Sequence, residues 1–283
     1  HKEPTRMKLA LIHPPEPMLS IATEVCQHPI NLASLAAFVR DRLGATVEIW
    51  DYGVLRRPEN HLRENLARFQ PDAVGFTAMT PLIKTAARLA GLVKENDKEI
   101  VTIVGGPHVS ALPARTLDEF STFDLGVIGE GELTLADICA AIQRGERTLR
   151  GIPGTVYRAN GAPALGPERP MIMNLDELPF PARDLIDFSL YTGSSSPGLS
   201  SKLRNITELF TSRGCPVRCF FCGSHVTHRN KVRFRSARHV LDEVRECVQT
   251  YGVDHFTIDD DTFTYGRERL IEICRGLREL GVS

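Results

Sequence analysis

Three cysteines near residue 220 are the part of the sequence best suited to chemistry. Cys215, Cys219 and Cys222 form a C-x-x-x-C-x-x-C run, in a segment that Gly214 and Pro216 favour as a loop. Thiolates spaced this closely can bind a single inorganic cluster, and a cubane iron–sulfur cluster usually takes four of them. A set of three leaves one iron open to an exchangeable ligand, as in catalytic rather than structural metal sites.

Two other uses of these cysteines are open. A disulfide framework is typical of small secreted chains with an even number of cysteines, whereas this chain has 283 residues and seven cysteines. Zinc is the stronger alternative, because His225 extends the run to C-x-x-x-C-x-x-C-x-x-H and offers a fourth ligand. Zinc sites, however, usually combine two ligand pairs from separate turns. The spacing therefore favours an iron–sulfur cluster.

The cysteine run resembles the signature of the radical S-adenosylmethionine (SAM) enzymes, including Phe221, the aromatic residue before the last cysteine. The resemblance implies a 4Fe-4S cluster on Cys215, Cys219 and Cys222, with SAM bound at the open iron. It assigns Phe221 to the SAM site. It also implies an electron donor such as flavodoxin or ferredoxin.

The composition is that of a globular protein with room for two domains, because 42% of the residues are hydrophobic and 24% are charged. A net charge of −1 gives no general attraction to nucleic acid. We therefore expect a small-molecule substrate and no nucleic acid. We also expect no membrane span and a location in the reducing cytoplasm, because no apolar run reaches the roughly 18 residues that cross a bilayer. The other cysteines are interpreted as core or surface residues: Cys26, Cys139, Cys247 and Cys274.

The first half of the chain alternates between short apolar runs and amphipathic segments. Strands are predicted at 8–12, 46–50, 73–77, 100–104 and 125–128, and helical spacing of apolar residues follows each of them. Five βα units in succession favour a parallel sheet covered by helices on both faces. The expected fold is α/β, with a flavodoxin-like five-stranded parallel sheet.

The ends of these strands carry a set of small and polar residues. In open α/β sheets the ligand lies beyond the carboxyl ends of the strands, and glycine lets a large ligand approach the backbone, although any one glycine could simply form a turn. The G-G-x-H and G-E-G-E patterns are similar to those of the cobalamin-binding domain of cobalamin-dependent radical SAM enzymes. The resemblance assigns these residues to cobalamin: Pro14, Pro15, Thr77, Thr80, Gly105, Gly106, His108, Gly129, Glu130 and Gly131. Because D-x-H-x-x-G is missing, it also implies cobalamin with no histidine on cobalt, and a polar loop residue is the plain alternative for His108.

The remaining chain divides into a connector and a second βα series. Residues 147–203 are rich in Pro, Gly and Ser, with a possible hairpin at Asn160-Gly161 and a linker or lid at 193–201. Only two βα units follow, so that 204–283 is expected to be the start of an incomplete radical SAM βα barrel in a truncated chain. The predicted domains are therefore 7–146, 147–203 and 204–283.

Two charged segments lie on either side of the first helix and the second strand of this series. Three acids, Asp259, Asp260 and Asp261, end the second strand and need compensation for their crowded charge. They are either turn and cap residues or, by the resemblance, Asp260 or Asp261 accepts hydrogen bonds from the SAM ammonium. The basic run at 229–238 is expected to be a solvated surface rather than a nucleic-acid patch. By the resemblance, some of its residues could instead balance the charge of the SAM carboxylate.

Together these resemblances imply a cobalamin-dependent radical SAM enzyme. Such an enzyme cleaves SAM reductively to a 5′-deoxyadenosyl radical and, in methylating members, transfers a methyl group through methylcobalamin to an unactivated carbon. Two alternatives stay open: a non-methylating radical SAM oxidative cyclase, and a cobalamin-binding or sensing module without catalysis. We expect the fragment to be inactive by itself, whereas its parent protein is an enzyme.

Overall fold

The first half of the chain folds around a parallel sheet. The computed structural model describes residues 6–15, 27–54, 58–146, 148–191 and 205–282. Five parallel strands lie in the order β2-β1-β3-β4-β5. Their bounds are β1 Lys8–His13, β2 Thr46–Asp51, β3 Ala73–Thr77, β4 Val101–Gly105 and β5 Leu125–Val127. The predicted flavodoxin-like sheet is confirmed, and its strand order reverses between β1 and β3.

Helices cover both faces of this sheet. They are α1 Ile30–Leu43, α2 Pro58–Phe69, α3 Ile83–Asn96, α4 Pro107–Ala111, α5 Pro113–Glu119 and α6 Glu132–Gln143. Successive residues of a strand point to opposite faces, so that Leu9 and Leu11 of β1 pack in the core with α1 and α6. Ala10 and Ile12 pack in the core with α2 and α3. Each fully buried leucine contributes roughly 2 kcal/mol to this packing.

An antiparallel hairpin extends the sheet beyond the predicted five strands. It consists of β6 Thr155–Ala159 and β7 Ala162–Leu165, and β6 pairs antiparallel with β5 to give seven strands in all. Asn160 and Gly161 both have a positive φ, of 52° and 85°, which a two-residue I′ turn requires. The possible hairpin is therefore present, and it continues the first sheet. The three domain boundaries given above stay a prediction.

The chain after the hairpin packs against both halves. Three 3₁₀ turns mark its course at Leu175–Glu177, Arg183–Leu185 and Phe188–Leu190. The backbone N–H of Ala182 donates to the carbonyl of Ala33 in α1. The linker or lid predicted at 193–201 lies outside the described residues.

The second half contains the two predicted βα units. Its elements are β8 Ile206–Leu209, β9 Ser212–Arg213, α7 Ser224–His228, β10 Arg233–Phe234, α8 Ala237–Tyr251, β11 His255–Ile258 and α9 Arg267–Glu279. β8 and β11 pair in parallel, as the first strands of a βα barrel do, while β9 and β10 form a short antiparallel ribbon. The two predicted βα units are thus present, and the ribbon is an additional element.

Two further observations concern the chain as a whole. None of the helices in the described ranges is long and apolar enough to cross a membrane. Cys139 and Cys247 are buried in helices, and Cys274 is exposed, as expected of core or surface residues. Cys26 lies outside the described residues.

Candidate functional site

A cavity of about 310 Å³ lies between the carboxyl ends of the parallel strands and the second half of the chain. We call it the central cavity. One side is formed by the ends of β3, β4 and β5 and by α1, another by the connector, and the third by the second half. Its lining includes Asn31, Ser34, Thr77, Gly105, Gly106, Gly129, Glu130, Gly131, Pro179, Pro181, Phe210, Arg213, Thr227, His228, Arg235, His239, Asp259 and Asp261.

Many of the residues predicted from the strand ends meet in the central cavity. Its lining contains Thr77, Gly105, Gly106, Gly129, Glu130 and Gly131, together with the acid Asp261. The lining does not include the remaining predicted residues: Pro14, Pro15, Thr80, His108, Phe221, Asp260, Cys215, Cys219 and Cys222. The sequence did not predict the α1 residues of the lining, nor Arg213, His228 and His239 of the second half.

Two of the glycines at the strand ends have no space for a side chain, because neighbouring protein atoms lie too close. Gly106 has φ +101°, and a Cβ there would lie 2.9 Å from the carbonyl oxygen of Ala78. A Cβ on Gly131 would lie 2.9 Å from Cδ2 of Leu35. Both glycines also line the cavity, so that the main chain forms its wall there and a large ligand can approach it closely.

Histidines near the cavity are held by their neighbours. His108 is buried, which lowers its pKa, and its Nδ1 lies 3.2 Å from Thr80 Oγ1. Burial also lowers the pKa of His228 and of His239. Arg233 donates to Nδ1 of His228 and Arg235 donates to Nδ1 of His239, at 3.2 and 2.9 Å. Because a guanidinium cannot accept a hydrogen bond, Nδ1 of each ring must be the acceptor. The proton of each neutral ring is therefore on Nε2.

The cysteine loop, residues 214–232, lies between β9 and β10. Cys215, Cys219 and Cys222 are free and half-buried, and Thr262 Oγ1 donates to Cys215 Sγ at 3.0 Å. The ring of His225, the possible fourth zinc ligand, has its Nδ1 2.8 Å from the carbonyl of Cys222.

The donor set of this loop fits an iron–sulfur cluster in its chemistry. Three free thiols lie on one short loop, and all six described cysteines are free. Within the described ranges no three His, Cys, Asp or Glu side chains are close enough to hold one metal ion. The loop thus brings the thiols into one region without converging them on one point. Phe221 beside them is 79% exposed.

The three consecutive acids after β11 have three different environments. The carboxylate of Asp260 accepts four hydrogen bonds, from the backbone N–H and the hydroxyl of both Thr211 and Ser212, at 2.5 to 3.0 Å. Asp261 is exposed and accepts from Ser224 Oγ at 2.7 Å. Burial, followed by the charges of Glu208 and Asp260, raises the pKa of Asp259 to about 6. Contact with SAM stays a prediction for Asp260 and Asp261, and Asp261 is the one that reaches the cavity.

The basic run at 229–238 is not a solvated surface throughout. The expectation is wrong for Arg233 and Arg235, which are 3% and 9% exposed. Arg233 pairs with Glu130 at 2.8 Å, and Arg235 pairs with Glu243 of α8, which is itself buried. Each cation is buried because an acid from another element neutralises it.

Glu130 and Glu132 of the G-E-G-E turn face arginines of the second half. Glu130 pairs with Arg213 at 3.0 Å as well as with Arg233, and Glu132 pairs with Arg213 at 2.5 Å. Burial by itself raises the pKa of Glu130, but the hydrogen bond from Arg233 and the charge of Arg213 outweigh it, so that the pKa is lowered. Burial lowers the pKa of Arg213, and Glu132 and Glu130 more than reverse this.

These four residues, called here the Glu130 network, could not be found from sequence. The partners are separated by 81 residues or more along the chain, and no local pattern joins them. The one available signal was the position of Arg213 two residues before the first cysteine of the loop.

Comparison with known protein families gives one match within the first half. The sequence model of the family described as the B12 binding domain matches residues 18–139. This range contains the strand-end residues of the central cavity that precede the connector.

Curated relatives match nearly the whole chain. The chain is 33% identical over 278 residues to the uncharacterized methyltransferase PH0819 of Pyrococcus horikoshii. The aligned region covers 98% of this chain and 58% of that protein. It is 31% identical to the anaerobic magnesium-protoporphyrin IX monomethyl ester cyclase of Rubrivivax gelatinosus, over 79% of this chain and 40% of that protein. The cytidylyl-2-hydroxyethylphosphonate methyltransferase of Streptomyces wedmorensis is 27% identical, over 97% of this chain and 58% of its own length. The chain thus spans about half the length of the curated relatives it matches.

Solved structures share the fold. The cobalamin-dependent SAM radical enzyme OxsB, solved with aqua-cobalamin and SAM bound, superposes with a TM-score of 0.76 at 23% identity, over 98% of this chain and 37% of OxsB. The radical SAM methyltransferase TsrM from Kitasatospora setae, solved with cobalamin and a [4Fe-4S] cluster, superposes with a TM-score of 0.71 at 21% identity, over 97% of this chain and 51% of TsrM.

Proposed function

The chain belongs to the family of cobalamin-dependent radical SAM enzymes, and from this premise we propose that the whole protein is a methyltransferase that binds cobalamin, SAM and a 4Fe-4S cluster. When bound, these groups supply reductive cleavage of SAM to a 5′-deoxyadenosyl radical and transfer of a methyl group through methylcobalamin to an unactivated carbon. The protein positions the groups and excludes water.

The observation that carries this proposal is the position of the central cavity. It lies between the strand ends of the part matched by the B12 binding domain and the half that bears the cysteine loop. A ligand held there contacts both halves at once. Gly106 and Gly131 let it approach the backbone, and Pro179 and Pro181 of the connector help to shield it from solvent.

The two histidines of the cavity support a cobalamin without histidine on cobalt. His228 and His239 accept an arginine hydrogen bond on Nδ1, so that each neutral ring offers an N–H and no lone pair at Nε2. They can donate to acceptor groups of a ligand but cannot bind a metal in this state. His108 lies outside the lining, buried in the short helix α4 rather than in a loop.

The second half supplies the residues proposed for the cluster and SAM. Cys215, Cys219 and Cys222 would hold the cluster as thiolates. Asp261, exposed at the cavity, can accept hydrogen bonds from an ammonium group. Phe221, with 79% of its surface exposed, can pack against a flat or apolar part of SAM.

Cofactor loading is the first test. The chain is reconstituted anaerobically with iron and sulfide and then titrated with hydroxocobalamin. The iron content, the zinc content and the absorption spectrum are measured. We expect about four irons per chain, a brown chromophore and one cobalamin, and we expect the triple variant C215A/C219A/C222A to keep cobalamin and lose the iron. A colourless protein that contains zinc and no iron would overturn the proposal.

SAM cleavage and methyl transfer are tested with the whole protein rather than with this chain. Release of 5′-deoxyadenosine from SAM in the presence of a reductant such as flavodoxin or ferredoxin distinguishes an enzyme from a cobalamin-binding module. Transfer of label from methyl-labelled SAM to a small-molecule product distinguishes a methyltransferase from an oxidative cyclase. We expect both signals, and the absence of label from every product would contradict the methyltransferase.

A further inference from the structure

The cysteine loop is closed at its base by the two strands of the ribbon. Arg213 of β9 and Arg233 of β10 are opposite each other in the antiparallel register, as are Ser212 and Phe234. All three cysteines lie between these strands. The pairing of β9 with β10 closes the base of the loop, and a ribbon of two residues on each side has little stability of its own.

One carboxylate from the first half joins the two strands. Oε1 of Glu130 accepts from Arg213 at 3.0 Å, and its Oε2 accepts from Arg233 at 2.8 Å and from the backbone N–H of Ile172 at 3.1 Å. Arg233 also donates to the carbonyl of Ile172 at 2.7 Å. The side chain of Glu130 is 7% exposed and that of Arg233 is 2% exposed, so that the attraction between them is weakly screened by solvent.

The charges of the Glu130 network balance. Glu132, whose side chain is 5% exposed, accepts a hydrogen bond from Nη2 of Arg213. Two arginines thus face two glutamates, and removal of one carboxylate would leave a buried guanidinium without full compensation. The G-E-G-E turn therefore adds ion pairs from both strands to the backbone pairing of the ribbon.

Glu130 also forms part of the wall of the central cavity, together with Gly129 and Gly131. The turn that would contact a ligand in the cavity is therefore the turn that holds the base of the cysteine loop. A ligand that orders this turn reduces the entropy that the loop must lose to bind a metal cluster, and the reverse also holds.

We propose that Glu130 is a positioning residue that couples occupation of the central cavity to closure of the cysteine loop, so that cobalamin binding and cluster retention strengthen each other. The proposal rests on the proposed function. Coupling between two binding events is reciprocal: whatever factor the cluster adds to cobalamin affinity, cobalamin adds to cluster affinity.

The experiment measures this factor in the reconstituted chain. The Kd of hydroxocobalamin is determined for the cluster-free and the cluster-loaded protein, and iron release to a chelator is timed with and without hydroxocobalamin. For the natural sequence we expect a cobalamin Kd at least about five-fold lower in the loaded form, and iron release slowed by hydroxocobalamin. In Glu130→Gln the ratio of Kd values is expected to fall to about one.

The matched control is Glu168→Gln. Glu168 pairs with Arg229 of the same loop, but both side chains are exposed, by 72% and 48%, and an exposed pair contributes little. This variant is expected to keep the full coupling factor. Arg213→Lys serves if Glu130→Gln does not fold by circular dichroism, because it keeps the charge and loses one of two carboxylate pairings, and an intermediate factor is expected.

Two results overturn the coupling. If the natural sequence loads both groups and Glu130→Gln, or in its place Arg213→Lys, keeps the same factor, Glu130 has no such role while the proposed function stands. If the natural sequence takes up no cluster at all, the proposed function fails, and the coupling fails with it.

Discussion

At the scale of single residues, the three acids after β11 show how one sequence pattern divides into separate roles. Asp260 is fully paired with Thr211 and Ser212, and so it fixes the chain between β8 and β9. Asp261 is exposed at the cavity. Asp259 is partly buried near Glu208, and among the described residues no cation lowers its pKa. Asp259 therefore destabilises the fold whenever it is charged.

The first prediction concerns Asp259→Asn. Because the folded pKa is about 6 and the ordinary value is 3.8, the folded state binds the proton more tightly, and its stability falls as pH rises from the lower value through the higher one. Asparagine lacks this charge. After allowance for solvent screening, we expect the variant to be more stable than the natural protein by about 1–2 kcal/mol at pH 7.5, and by much less at pH 4.5.

Urea unfolding at both pH values measures the difference. Asp261→Asn is the control, because its side chain is exposed, and we expect a change in unfolding free energy below about 0.5 kcal/mol at either pH. An equal gain for Asp259→Asn at pH 4.5 and pH 7.5 would contradict the raised pKa.

At the scale of elements, the ribbon of β9 and β10 depends on one glycine. Gly214 has φ +89°, and a Cβ there would lie 2.2 Å from the carbonyl oxygen of Lys231 on the opposite side of the loop base. The clash is with backbone, which cannot move aside without opening the loop. Gly223 in the same loop has φ −88° and no atom within 4 Å of its Cβ position.

The second prediction compares Gly214→Ala with Gly223→Ala. The first change combines left-handed backbone strain with a backbone clash and is expected to cost about 2–4 kcal/mol locally. We expect faster proteolysis within the loop and loss of most of the reconstituted iron. The second change is expected to leave the proteolysis rate and the iron content unchanged within error. Equal behaviour of the two variants would refute this account of the ribbon.

What the sequence predicts well are elements whose residues repeat with a period. The five parallel strands and the longer helices of the first half follow from apolar spacing, whereas α4 was not predicted. Asn160-Gly161 identifies the hairpin turn. The ribbon has two residues per strand, too few for any periodicity. Arg233 and Arg235 look like surface residues because their partners, Glu130 and Glu243, come from other elements. Burial of a charge by a partner from another element leaves no local pattern.

At the scale of the whole molecule, the connector fastens the halves together. Arg183 is 1% exposed, pairs with Glu243 of α8 at 2.6 Å and donates to the carbonyl of Glu208 in β8 at 2.8 Å. The next residue, Asp184, pairs with Arg40 of α1 at 2.8 Å on the surface. Adjacent residues thus bind opposite halves, one buried and one exposed.

The third prediction concerns Arg183→Met. Removal of the guanidinium leaves the buried Glu243 with a single cation and should cost about 3–5 kcal/mol. We expect calorimetry to show one unfolding transition for the natural chain and two for the variant, because the halves lose part of what joins them. Arg40→Met is the control, since its pair is exposed, and we expect a loss below about 1 kcal/mol with one transition. Two variants with the same calorimetric profile would contradict the role of Arg183.

The hairpin after β5 also has a consequence for self-association. β5 has three residues, and as the last strand of the sheet it would present unpaired backbone groups to a second molecule. The hairpin places β7 there instead. β7 has four residues, and Pro163 among them has no N–H to donate. This end of the sheet is therefore a poor template for strand addition, and concentrated protein is protected from edge-to-edge aggregation on that side.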